Sequence, residues 1–193
     1  MNTTIVGSGV AAWTLVRELR KVSPEANIRV ITCDSGDFYS KPMLSNAFAS
    51  GKTPETLVMT PAAKLAEQQK TELLAHTTVQ SINTEEKTLQ TTAGNFSYDQ
   101  LVLALGADTI KLPLEGSGAA DVLSVNDLVD YAAFRKQLEG KKHVAVLGAG
   151  LIGCEFANDL QKGNINSTKH LMSDLGWIKQ AVKWGAVGHK RQL

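Results

Sequence analysis

The stretch Thr4-Ile5-Val6-Gly7-Ser8-Gly9-Val10-Ala11-Ala12-Trp13 decides the fold. A short apolar run stops at a glycine. The apolar positions that follow (Val10, Trp13, Leu15, Val16, Leu19 and Val22) are spaced as on a helix rather than alternating as on a strand. Ser23-Pro24-Glu25 ends that helix, and Ile28-Arg29-Val30-Ile31-Thr32 reads as a second, β-branched strand. The chain therefore opens with a βαβ unit whose first turn carries the pattern GxGxxA. Gly7 permits the tight turn, Gly9 lets a diphosphate approach the backbone, and Ala12 lets helix and strand pack closely. With Ser8, Val10 and Ala11 they form a loop at an open helix N-terminus, where N–H donors and the positive dipole end favour an anion. An acid after the second strand should hold the ribose hydroxyls. Asp34 stands there at the expected spacing of roughly 20 residues, with Asp37 as its rival.

Further along, Pro61 opens a short helix that runs through Lys70. Glu72 to Ala75, Thr78 to Ile82, Lys87 to Thr91 and Asn95 to Tyr98 read as short strands, with a hairpin bend at Thr92-Ala93-Gly94-Asn95. Leu101-Val102-Leu103-Ala104-Leu105 is wholly apolar and closes on Gly106, as expected of a central parallel strand buried on both faces. After a link bearing Pro113, Gly116 and Gly118, a helix from about Asn126 to Leu138 leads to the strand Val144-Ala145-Val146-Leu147. There a second glycine turn follows, Gly148-Ala149-Gly150-Leu151-Ile152-Gly153. Gly153 allows the closest helix–strand approach, and Ala157 keeps that face slim. Two such turns predict two adenine dinucleotides, one resident as prosthetic group and one exchanging as hydride donor.

Residues 161–193 differ in composition, with six Lys or Arg against the single acid Asp174, and with Trp177 and Trp184. No β-branched strand is legible after Gln161. Leu171, Leu175, Ile178 and Val182 instead fall on one face of a helix. The expected organisation is 1–112, 113–160 and a divergent basic tail at 161–193.

A net charge of +1 with 20% charged and 43% hydrophobic residues describes a globular chain and gives no reason to expect nucleic acid or a membrane surface. No apolar run approaches the roughly 18 residues of a membrane span. No leader segment is legible after Met1, so a cytoplasmic location is expected. Cys33 and Cys154 are the only cysteines and form no CxxC, which argues against a redox dithiol or a cysteine metal site; they read as small apolar residues in a strand and a helix. The four histidines, His76, His143, His170 and His189, are scattered and suggest no catalytic constellation or metal site.

On these residues the chain resembles the flavoprotein pyridine-nucleotide reductases. The strand closing on Ala104, Gly106 and Ala107 is similar to the family's second FAD signature, and Gly148 to Ala157, with Glu155 inside, is similar to its nicotinamide-domain signature. Phe38-Tyr39-Ser40-Lys41-Pro42-Met43-Leu44-Ser45, Leu123-Ser124-Val125-Asn126-Asp127-Leu128 and Gly150 to Leu160 resemble the rubredoxin reductases in particular. The resemblance implies an α/β, Rossmann-like FAD-binding fold with a small antiparallel meander, followed by the start of a second Rossmann-like NAD(P)-binding domain.

It further implies FAD on the first turn, with Lys41 and Pro42 against it and the backbone of Val79 meeting the adenine. NADH or NADPH would lie on the second turn, with Glu155 toward the flavin–nicotinamide contact. The acceptor would be rubredoxin or a similar small iron carrier, serving an alkane-oxidising chain. Members of the family are longer, and the resemblance stops near Leu160, so a chain that ends before the enzyme is complete is expected. Three readings stay open: a reductase retaining FAD and some diaphorase activity, a non-catalytic remnant that at most binds FAD, and another FAD/NAD(P)H reductase of ferredoxin or nitrite type. A flavin monooxygenase is disfavoured by the second glycine turn.

Overall fold

β1 (Asn2–Val6), α1 (Val10–Val22) and β2 (Asn27–Ile31) form the opening βαβ unit, with the strands parallel from Asn2↔Asn27 to Val6↔Ile31. The computed structural model describes residues 1–110, 113–148, 150–173 and 176–183. The chain divides into two units, one made of Met1–Ser40 and Val58–Asp108, the other of Lys41–Leu57 and the chain from Thr109 on.

In the first unit, β3 (Phe38–Tyr39) pairs antiparallel with β4 (Val58–Thr60). α3 (Ala62–Gln68) leads into β5 (Glu72–Leu74). The meander β6 (Val79–Asn83), β7 (Thr88–Thr91) and β8 (Gly94–Ser97) follows, and then β9 (Gln100–Leu103). Four parallel strands stand in the order β5-β2-β1-β9. Strand alternation divides the core into two layers. Ile5, Ile28 and Val30 pack with Ala12, Trp13 and Val16 of α1 and Leu65 of α3. Val6 and Ile31, one residue out of phase, pack with Leu89 of β7 and Tyr98. Each such buried Val or Ile contributes about 1.5–3 kcal/mol over exposure.

β9 corrects one expectation. Its apolar run predicts a strand covered on both faces, yet it is the outermost of the four strands and ends at Leu103. Leu103 is 56% exposed and Leu105 68%. The near end of the strand is covered, with Val102 packed on the α1 layer and Leu101 on the meander layer, and the cover stops short of Leu103. Cys33 is likewise exposed, two residues past the end of β2, whereas Cys154 is half-buried.

The second unit begins with the excursion 41–57, a 3₁₀ helix at Lys41–Asn46 and the short α2 (Pro54–Leu57). α4 (Leu128–Leu138) is capped by Asp127, whose side chain accepts the Asp130 N–H at 2.8 Å. β10 (His143–Leu147), α5 (Leu151–Lys162) and β11 (Asn166–Ser173) make a second βαβ unit, with His143↔Asn166 to Leu147↔His170 in parallel register. β12 (Gly176–Lys183) adds antiparallel to β11.

The helix expected over Leu171, Ile178 and Val182 is therefore overturned by two strands; Leu175 and Trp184 lie outside the described residues. Asn166–Ser173 contains a single β-branched residue, Thr168, so its strand propensity is weak. Pairing with the open edge of β10 overrides it.

Tyr131, Phe134, Leu138, Ala157 and Leu160 are buried in this unit. Phe134 meets Phe156 edge-on at 5.5 Å and Phe48 at 6.4 Å between ring centroids. The Lys52 carbonyl accepts from the Tyr131 hydroxyl at 3.0 Å and from Arg135 Nη1 at 2.8 Å. Burial pushes the Tyr131 phenol above its ordinary value, against the opposing pull of Arg135.

Candidate dinucleotide-binding turns

At the carboxyl end of β1, Gly7 has φ +110°, and a Cβ there would collide with the Ala104 carbonyl oxygen just past β9. Both facts require glycine. The turn is fixed by Gly7 N–H to the Ile31 carbonyl and Ala104 N–H to the Val6 carbonyl, each 2.8 Å. Gly9 is the N-cap of α1, with φ −70° and ψ −174°, no side-chain cap and no acid in the first helical turn. A Cβ on Gly9 would meet nothing within 4 Å. The hollow over the helix N-terminus is thus open, and its first amides have no side-chain partner. Val10 and Ala11 are exposed, whereas Ala12 is fully buried against the sheet, as its role in close packing demands.

Asp34 and Asp37 separate. Asp34 Oδ1 accepts from Thr32 Oγ1 at 2.6 Å, from the Gly36 N–H at 2.9 Å and from Ser8 Oγ at 3.1 Å, which joins it to the glycine turn. Asp37 is engaged elsewhere, with its Oδ1 accepting the Ala62 N–H at 2.8 Å at the start of α3. The His76 N–H bonds the Asp34 carbonyl at 2.9 Å, and the Thr77 N–H bonds the Thr32 carbonyl at 2.8 Å. These bonds tie the chain entering Val79 to the same end of the sheet. Ala104 is half-buried there, and Gly106, exposed with φ +76°, lies just beyond it.

The second turn repeats the first. Gly148 has φ +106°; Gly150 is the N-cap of α5 with φ −69° and ψ −179°, again without a side-chain cap or an early acid. A Cβ on Gly150 would also meet nothing within 4 Å, while one on Gly153 would collide with the Gly148 carbonyl oxygen. Leu151 and Ile152 are exposed on the first turn of α5; Ala149 lies outside the described residues.

Lys41 and Pro42, both exposed, begin the 3₁₀ helix of the second unit. Glu155 Oε2 accepts from Ser45 Oγ at 2.5 Å and from Asn46 Nδ2 at 3.5 Å. Sequence reasoning missed Asp159. It is 4% exposed and accepts the N–H groups of Phe48 at 2.7 Å and Ala49 at 3.2 Å. Its place one helical turn beyond Glu155, on the same face, was the only available signal. Among the described residues no group of His, Cys, Asp and Glu could hold a metal, and no helix is long and apolar enough to cross a membrane.

Two βα turns of one backbone form, each opening an uncapped helix at the carboxyl end of a parallel strand, define a protein of two dinucleotide folds. The chain belongs to the pyridine nucleotide-disulphide oxidoreductase family, whose description matches residues 1–177. It is 48% identical over 159 residues to a rubredoxin-NAD(+) reductase of Alcanivorax borkumensis, covering 82% of this chain and 42% of that protein. It is 36% identical over 176 residues to a nitric oxide reductase FlRd-NAD(+) reductase of Aliivibrio fischeri, covering 89% of this chain and 46% of that one. Among solved structures it is similar to the reductase in a covalent putidaredoxin reductase–putidaredoxin complex, with a TM-score of 0.76 and 30% identity over 87% of this chain and 41% of that one. The chain thus spans less than half the length of these relatives.

Proposed function

We propose that the chain is the nucleotide-binding part of an FAD-dependent NAD(P)H reductase that passes electrons to a small iron protein such as rubredoxin. The observation that carries this reading is the repetition of one turn: Gly7 and Gly148 share a positive φ near +110°, and Gly9 and Gly150 share an extended N-cap over open space. Each turn has room for a diphosphate and offers it the amides and dipole of a helix N-terminus. FAD fits the first turn, with Gly7, Ser8, Gly9, Val10 and Ala11 around the diphosphate and Ala12 packing α1 close to the sheet beneath it. Asp34 meets the ribose, and Val79, Ala104 and Gly106 lie along the same sheet end. NAD(P)H fits the second turn at Gly148, Gly150, Leu151, Ile152 and Gly153.

When bound, FAD supplies the chemistry of accepting a hydride and giving electrons singly. This chain's residues bind and orient. The fixed Asp34 carboxylate would accept hydrogen bonds from the ribose hydroxyls, and the bare amides of α1 would donate hydrogen bonds to the phosphates. Glu155 is held by Ser45, with its carboxylate beside the 3₁₀ helix that begins at Lys41. The roles of Lys41 and Pro42 rest on resemblance. A small iron carrier as acceptor is supported by the names of the relatives and by the putidaredoxin complex. Alkane oxidation and a cytoplasmic location extend the same reading.

A second reading, nucleotide binding without turnover, is favoured by the uncovered Leu103 and Leu105 of the first unit. Flavin absorbance and NADH-dependent dye reduction by the purified chain separate the two. A yellow protein that reduces the dye supports the reductase, a yellow inert one supports binding alone, and a colourless folded one defeats both.

A further inference from the structure

Asp34 is held more firmly than a solvated loop acid needs. Ser8, Thr32 and Trp13 around it are 7%, 4% and 1% exposed, while Asp34 itself is exposed. Three oxygen–oxygen contacts link two hydroxyls and one carboxylate: Thr32 to Asp34 at 2.6 Å, Ser8 to Thr32 at 2.9 Å and Ser8 to Asp34 at 3.1 Å. Only two hydroxyl protons are available to fill them. The shortest contact has the length of a charge-assisted O–H···O⁻ bond, so the Thr32 hydroxyl donates to Asp34. The single Ser8 proton is then shared between Thr32 Oγ1 and Asp34 Oδ1. The Gly36 N–H adds a further donor at 2.9 Å, and the Gly36 carbonyl accepts the Trp13 indole N–H at 3.3 Å. All the donors converge on Oδ1. That leaves Oδ2 for an incoming hydroxyl and denies the carboxylate rotation about its own bond.

We infer that Ser8, Thr32 and Trp13 are positioning residues that preset Asp34 for the hydroxyls of an adenosine ribose before the nucleotide arrives. The inference rests on the reading that the first turn takes FAD. Ser8 lies inside the glycine turn, so one residue sets both the phosphate cradle, through its backbone, and the ribose acceptor, through its side chain. Preorganisation of this kind improves affinity by removing an ordering cost from the binding step.

The test measures the Kd of two ligands, FAD and an FAD analogue lacking the 2′ and 3′ hydroxyls of the adenosine ribose. The unaltered chain and the Ser8→Ala, Thr32→Val, Thr32→Ser and Trp13→Phe variants are compared. Ser8→Ala and Thr32→Val should each weaken FAD about fivefold, the worth of one net hydrogen bond. Thr32→Ser should restore the affinity, Trp13→Phe should show a loss in the same direction, and the dideoxy analogue should bind all five proteins alike. Equal weakening of both ligands means a loosened turn and overturns the inference, as does unchanged FAD affinity in Ser8→Ala and Thr32→Val. If Gly9→Val abolishes FAD binding while these variants do not change it, the positioning role alone fails. If the unaltered chain binds neither ligand, the FAD reading fails and takes the inference with it.

Discussion

Gly9→Val separates binding from folding because the structure sets the two costs far apart. The backbone at Gly9, φ −70°, suits any L-residue, and its Cβ would meet nothing within 4 Å. The folding penalty is that of a poor N-cap, about 1 kcal/mol, which lowers the melting temperature by about 2–8 °C. A valine there would fill the hollow where a diphosphate must rest and would block at least two amide-to-phosphate bonds. At about 1.5–3 kcal/mol each, their loss is about 3–6 kcal/mol, or two to four orders of magnitude in Kd. Flavin stoichiometry from the visible spectrum, paired with a thermal melt, reads both quantities on one sample. Gly7→Val is the contrasting control: its φ of +110° and the collision with Ala104 should damage the fold itself. A Gly9→Val protein that melts normally and still carries full flavin would refute the assignment of the turn.

Other substitutions divide the remaining roles. Asp34→Ala should weaken FAD about ten- to a hundredfold, whereas Asp37→Ala should leave flavin affinity unchanged and cost about 1 kcal/mol through α3; titration calorimetry and melts distinguish them. Asp159→Ala strands the amides of Phe48 and Ala49 and should cost about 2–4 kcal/mol, with faster proteolysis near residues 47–52; equal cleavage rates would count against the grip described for α5. Tyr131, raised by burial, stays protonated in the folded chain at a pH where the unfolded chain ionises. Its contribution is therefore complete below about pH 10 and is lost as pH rises beyond it, and Tyr131→Phe should flatten that limb of the stability curve.

The elements fixed by local chemistry were legible in the sequence. Gly7, Gly9, Gly148 and Gly150 stand in strand–glycine–helix patterns that are local in the sequence, α1 follows from periodicity, and the meander follows from its turns. What could not be read depended on distant partners. β11 forms on a weakly β-prone stretch because β10 offers an edge, and no window over residues 166–173 contains that fact. The composition of β9 describes a central strand, yet it stands at the sheet edge, with cover for Leu101 and Val102 but not for Leu103. Asp159 looks like any polar helix residue until the amides of Phe48 and Ala49 are placed against it, and Cys33 looks like a strand hydrophobe until β2 ends before it.

The excursion 41–57 has a practical consequence. The chain leaves the first unit after Ser40, re-enters it at Val58 and departs again after Asp108. A gene fragment beginning at Thr109 would look like a tidy second half, yet its product would lack Ser45, Phe48, Ala49 and Lys52. Glu155, Asp159, Tyr131 and Arg135 would lose the partners described above. Cutting at a single linker therefore cannot yield two intact halves, and truncation studies must carry both stretches of each.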